Sequence, residues 1–120
     1  MLKAININDK LNKFSDHWSP RVIGEMNDYQ FKIAKVKGEF VWHSHEETDE
    51  TFIVLNGELV IEFRKETVKL SKGELYIVPK GVEHKPYAKH ECHIMLIEPK
   101  GIINTGDATS KLTSENDVWV

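Results

Sequence analysis

Between residues 51 and 99 the chain breaks into short apolar runs, and that rhythm leaves few folds open to it. "TFIVLNGELVIEF" (51–63), "TVKL" (67–70), "LYIVP" (75–79) and "CHIMLIEP" (92–99) are rich in β-branched and aromatic residues. The polar turns "RKE" (64–66) and "SKGE" (71–74) part them. No run carries the 3.6-residue period of an amphipathic helix. "FKIAKV" (31–36) and "FVWHSH" (40–45) read as two more strands upstream. Short strands with glycine turns specify an all-β, antiparallel sandwich or barrel. Asn56-Gly57 predicts a tight hairpin, because a type I′ turn takes two residues tolerant of positive φ. Pro79 ends its strand, since it has no N–H to give the ladder.

A chain of 120 residues suits one domain. The pattern divides it into an N-terminal arm (1–24), a barrel (25–100) and a C-terminal tail (101–120). The arm has room for one short strand around "AINI". The tail is polar, with apolar anchors at Leu112, Val118, Trp119 and Val120, and reads as an extended segment packed on the barrel or on a partner. Net charge is −3, and Arg21 and Arg64 are the only arginines. Nucleic-acid binding, which runs on clustered phosphate contacts, is not indicated. No apolar run approaches the ~20 residues that span a bilayer. The first ten residues lack the apolar core of a signal peptide. Cys92 is the lone cysteine, which fits a reduced, cytoplasmic setting.

"FVWHSH" ends an apolar run in two imidazoles. Side chains alternate along a strand, so His43 and His45 share one face, while Phe40, Trp42 and Ser44 share the other. If the first face lines a barrel, two neutral imidazoles enter its interior, which is costly without partners. A divalent metal answers that cost, since imidazole is its commonest neutral ligand. Glu50 opens the next strand and shares parity with Phe52 and Val54, which puts a carboxylate beside an apolar floor. His84 comes later, after a turn built by Pro79 and Gly81 that can aim it inward.

These residues form two ordered segments. His43-Ser44-His45, four residues, Glu50, six residues and Gly57 resembles the first cupin motif. Gly73, five residues, Pro79-Lys80-Gly81, two residues and His84 resembles the second. The likeness covers roughly residues 31–97. It departs from the pattern twice. Gly38 stands one residue nearer to His43 than the family's glycine does, and Ala88 stands where an Asn often closes the second motif. The resemblance implies a single-domain cupin, a small jelly-roll barrel of antiparallel strands. It also implies a divalent metal ion (Fe, Mn, Ni, Co or Zn) held by His43, His45, Glu50 and His84.

Three imidazoles and one carboxylate leave two positions open on a six-coordinate ion, which points to a reactive metal. The first expectation is a metal-dependent enzyme acting by Lewis-acid chemistry on a small polar metabolite, a sugar or an organic acid. The alternatives are an Fe(II) dioxygenase and a non-catalytic module that binds a small molecule or a metal. The loose label "phosphomannose-isomerase-like" finds little support, because only Lys80, Lys85 and Arg64 are at hand to clamp a phosphate. A homodimer is expected, since a short chain gains by burying one sheet face. Glu46, Glu47 and Asp49 read as a solvated turn. Cys92 reads as a small buried hydrophobe, and His17, His90 and His93 lie outside the ligand set. Tyr76 and Tyr87 flank the second motif as candidate hydroxyls for substrate.

Overall fold

In the computed structural model, which describes residues 2–120, one long strand organises the rest. That strand is β7, Lys85–Pro99. Ahead of it come α1 (Ile7–Leu11), β1 (Arg21–Met26), β2 (Tyr29–Glu39), β3 (Glu50–Asn56), β4 (Glu58–Glu62), β5 (Thr67–Ser71) and β6 (Leu75–Val78). All pairings between these strands are antiparallel, in the order β1-β2-β7-β3-β6, with β4 joining β7 to β5. The architecture is the jelly-roll barrel that the strand rhythm and the resemblance specify.

One edge of β7 takes β2 along most of its length, from Tyr29↔Pro99 to Glu39↔Tyr87. The other edge takes two partners in turn. β3 pairs with its C-terminal half and β4 with its N-terminal end. The expected Asn56-Gly57 hairpin is therefore absent, since β3 and β4 do not pair and instead follow one another along β7. Gly57 alone of the two has positive φ, at 91°. A Cβ there would stand 3.2 Å from the Cys92 Cα and the Glu91 carbonyl oxygen. The glycine serves a bend at close backbone approach, which lets β4 leave β3 and pair with β5. The "RKE" turn does close a hairpin, with β4 and β5 paired from Glu62↔Thr67 to Glu58↔Ser71.

Three more expectations change. "FVWHSH" is not a strand, since its backbone bonds go to several partners and only His43↔His84 forms a bridge. Around "AINI" no strand forms. Asn6 instead caps α1 by accepting the Asp9 N–H through its side chain at 3.0 Å. β1 supplies a strand that the reading of residues 1–24 left out, and Val22 on it bonds the tail at Val118 and Val120.

Alternation along β2, β3 and β7 sends one set of side chains inside. Val36, Phe52, Val54, Ile94 and Leu96 are buried there and form the main core. Each such side chain contributes ~1.5–3 kcal/mol by leaving water. A second cluster, with Leu11, Ile23 and Ile33, seals the outer face under α1 and Val120. Among the described residues no helix is long and apolar enough to cross a membrane.

Candidate metal centre

The same alternation that builds the core places polar groups at one end of it. Glu50 opens β3 on the face of Phe52 and Val54, as its parity predicts, and is 4 % exposed. His43 and His84 reach the interior from two loops that bridge to each other. His43 N–H donates to the His84 carbonyl at 3.0 Å, and His84 N–H donates to the His43 carbonyl at 2.9 Å. Gly81, at φ 77°, donates its N–H to the His45 carbonyl at 2.9 Å and so ties the second motif to the first. His45 is buried with the others.

The four side chains converge. One ligand atom from each of His43, His45, Glu50 and His84 lies within 4.8 Å of every other. Ligands at ~2.1 Å from an ion stand ~3 Å apart when adjacent and ~4.2 Å apart when opposite. The set is gathered on the scale of such a sphere. His45 Nε2 and His84 Nε2 each lie 3.3 Å from a Glu50 oxygen.

Tautomers follow from the backbone. His43 Nδ1 lies 2.9 Å from the Val41 carbonyl and His84 Nδ1 lies 2.9 Å from the Val82 carbonyl. A carbonyl only accepts, so each Nδ1 carries the proton and each Nε2 presents a lone pair inward. His45 Nε2 is buried with no hydrogen bond of normal geometry, although Glu50 is close. A buried polar atom without a partner is a cost, and a cation removes it.

Electrostatics sort the protons. Burial, then the charge of His84, lower the His43 pKa from 6.5 to about 4, so His43 stays neutral. Burial alone would raise Glu50, but the close His45 and His84 imidazoles and the neighbouring Glu98 carboxyl outweigh it and hold Glu50 well below the carboxylate range. The site thus offers a neutral imidazole at His43 and an ionised acid at Glu50, donors that a divalent transition ion takes.

Strict alternation fails at the edges of the motif. Ser44 is also buried, at 2 % exposed, and Phe40 lies inside with its ring centroid 5.3 Å from that of His43. Trp42 alone of the three expected outward residues sits half out, under Arg64 at 3.8 Å. Asp49 is exposed and accepts the Lys80 N–H at 2.9 Å. Cys92 is fully buried, and burial pushes its thiol up to about 11, far from a reactive thiolate. His17 and His93 both reach Glu91 on the surface, at 2.7 and 3.1 Å. His90 is exposed.

Sequence reading missed a buried pair behind Glu50. Lys32 Nζ meets Glu98 Oε2 at 2.7 Å, with both side chains almost wholly buried. Burial, then the neighbouring Glu50 charge, push Glu98 well above the usual carboxylate range against the pull of Lys32. Parity held the signal. Lys32 shares a face with Ala34 and Val36, and Glu98 with Ile94 and Leu96, so each apolar strand face carries one ionisable group facing the other. The tail's contact with the site was missed too. Gly106 and Asp107 pack on Ser44 between the two histidines.

Comparison with known proteins agrees with this geometry. Residues 31–98 match the family model described as "Cupin domain". The uncharacterized protein YdbB of Bacillus subtilis is 38% identical over 86 residues, 71% of this chain and 76% of that protein. A solved cupin-2 domain containing protein from Shewanella frigidimarina is 64% identical, with a TM-score of 0.79 over 80% of this chain and 94% of that one. Hydroquinone 1,2-dioxygenase from Sphingomonas sp., 20% identical, shares the fold with a TM-score of 0.72 over 81% of this chain and 32% of that one.

Proposed function

This chain belongs to the cupin domain family, and from that premise we propose that it is a mononuclear divalent-metal enzyme. His43, His45 and His84 would hold the ion through Nε2, and Glu50 through its carboxylate. The observation that carries the reading is His45 Nε2, buried and without a hydrogen bond beside an ionised Glu50. Four ligands leave open positions on iron, manganese, nickel or cobalt, and zinc accepts the same donors. When bound, the ion supplies Lewis acidity toward an oxygen donor of the substrate.

This chain's own residues set the rest. The Val41 and Val82 carbonyls orient two imidazoles. An open cleft of about 290 Å³ borders His45, with Ser44, Glu46, Glu47, Thr48 and Asp107 among its lining. The polar side chains there suit the hydroxyls of a small metabolite, while Ile102 and Ile103 in the same lining suit its apolar face. Three acids in that lining repel an anion, so a neutral hydroxylated molecule of the sugar class fits better than an organic acid.

A second reading is an Fe(II) dioxygenase, which adds both atoms of dioxygen to its substrate and needs no outside reductant. It is favoured by the apolar cavity on the other side of the site, against His43 and Glu50. A second copy of the chain is the proposed partner, with Leu75 and Ile77 of the edge strand β6 left 54 % and 51 % exposed. Light scattering tests that, and a monomer mass rejects it.

The central experiment is elemental analysis of protein purified without chelator. Stoichiometric metal is expected in the wild type and none in a folded His43→Ala, His84→Ala variant. Equal metal in both rejects the ligand set. Each ion is then loaded in turn and assayed against sugars and polyols, with oxygen uptake followed in parallel. Ligand binding without turnover under every ion would instead mark a non-catalytic binding module.

A further inference from the structure

Three of the chain's six histidines lie outside the core set, and two of those meet on one surface carboxylate. His17 Nε2 lies 2.7 Å from Glu91 Oε1, and His93 Nε2 lies 3.1 Å from Glu91 Oε2. Each ring takes its own oxygen, so one carboxylate serves two imidazoles. Those contacts, His17 first, hold the Glu91 carboxyl below its usual range and keep it ionised.

The fold gathers the three from separate places. His17 sits on the N-terminal arm, bridged in parallel to Lys35 of β2. His93 pairs with the same Lys35 from the other edge, on β7. Glu91 comes from a bulge, where Lys89, His90 and Glu91 of β7 stand opposite Lys37 alone. Lys35 would oppose a cation here, but its Nζ donates to the Phe14 carbonyl at 2.7 Å.

We propose that His17, Glu91 and His93 form a second metal site, separate from the core centre, for a borderline divalent ion such as zinc. Two imidazoles and one carboxylate are a donor set that zinc takes, with water in the position left over. Among the described residues, the core four are the set whose donor atoms already stand within 4.8 Å of one another. The surface three close on the ion by turning their side chains. Those of His17 and Glu91 are 36 % and 45 % exposed and that of His93 22 %, so rotation meets little packing. Exposed pairs of this kind contribute little, so little is lost when coordination replaces them. A carboxylate only accepts, so each Nε2 now carries a hydrogen. That hydrogen passes through water to Nδ1, and the Nε2 lone pair turns to the ion.

An ion there would fasten the arm to β7. The next residue, Trp18, has φ 62°, a conformation that bulky residues rarely adopt. Its N–H donates to the Lys35 carbonyl and its indole to the Lys37 carbonyl, both at 2.9 Å. Its ring stacks on Phe40 at 4.6 Å. Strain of this kind persists only where surroundings over-determine it, and an ion on His17 adds a restraint beside it.

The test is zinc titration of the full chain at neutral pH, followed by calorimetry and by the ring-proton NMR signals of the histidines. A second equivalent of zinc is expected, which shifts His17 and His93 together and leaves the exposed His90 in place. Glu91→Gln and His17→Gln should each weaken that equivalent by ~10-fold or more, the loss seen when even an outer partner is removed, and leave the first unchanged. His90→Gln should change neither. No second equivalent at millimolar zinc overturns the inference, as does one that survives Glu91→Gln or moves one imidazole alone. Should a variant fail to fold, the wild-type shifts decide by themselves. Shifts at His17 and His93 without any zinc at the core would sink the core reading and leave this site standing.

Discussion

Ser44 and Asp107 clasp each other, the Ser44 backbone meeting both the side chain and the backbone of Asp107. The Ser44 N–H donates to Asp107 Oδ1 at 2.9 Å, and the Asp107 N–H donates to the Ser44 carbonyl at 3.2 Å. Ser44 stands between His43 and His45, so the tail grips the segment of two candidate ligands at its centre. That bond to the Ser44 N–H also holds the Asp107 carboxyl below its usual range. Asp107→Ala frees the segment. Outer partners that orient ligands are worth ~10–100-fold in metal affinity, and a loss of that size is expected by calorimetric titration of the folded variant. Unchanged affinity would mean that the tail merely rests on the site.

Gly106 makes that clasp possible. It has φ 56°, and a Cβ there would collide with the Ser44 carbonyl oxygen and stand 3.2 Å from His45 Nδ1. Gly101, at φ 93°, has nothing within 4 Å. Both positions strain a side chain through the backbone, at about 1–2 kcal/mol each. Only Gly106 adds overpacking, about 1–3 kcal/mol more. Chemical denaturation should therefore rank Gly106→Ala well below Gly101→Ala in stability, and metal content should fall only in the former. Matching losses would show that the contact with Ser44 carries no energy.

The convergence of the four candidate ligands was legible in the sequence because its information is local. His43 and His45 sit one residue apart, Glu50 shares the parity of Phe52 and Val54, and Gly81 marks the turn before His84. The Asn56-Gly57 bend was misread because a turn signal states that the chain may reverse. Whether it does is decided by β7, which here takes β3 and β4 in succession. The segment 40–45 was misread as a strand because its backbone partners, His84, Gly81 and Asp107, lie far along the chain. Trp18 was invisible for the same reason, since its strained backbone is set by contacts to Lys35, Lys37 and Phe40.

The metal-free protein should weaken in mild acid. Its folded His43 titrates at about 4, against 6.5 in the unfolded reference. Between those values the unfolded chain binds more protons, so stability rises with pH through the window and falls as pH drops from 6.5 toward 4. The full shift is worth about 3 kcal/mol. Urea midpoints in the presence of chelator, taken across that range, measure it. His43→Gln, which cannot titrate, should flatten the slope, and a slope equal to wild type would place the effect elsewhere.

The buried pair behind Glu50 gives the last prediction. Lys32 Nζ lies 2.7 Å from Glu98 Oε2, and its other neighbour is the Ile102 carbonyl at 3.4 Å. Glu98 Oε1 has no hydrogen bond of normal geometry, and Glu50 is its neighbour. Removing one member strands the other. Glu98→Leu leaves a buried ammonium with one long contact, which costs about 3–5 kcal/mol. Removing both polar groups, as Lys32→Met with Glu98→Leu, should recover most of that loss, because apolar replacements of buried pairs are often neutral or better. Glu50 would lose the neighbouring Glu98 carboxyl that helps hold it ionised, so metal affinity in the double variant should fall even where stability returns. A double-mutant cycle in chelator, followed by metal titration of the folded variants, separates the two effects. Recovery of stability and affinity together would show that the pair supports the barrel and does nothing for the ligand it touches.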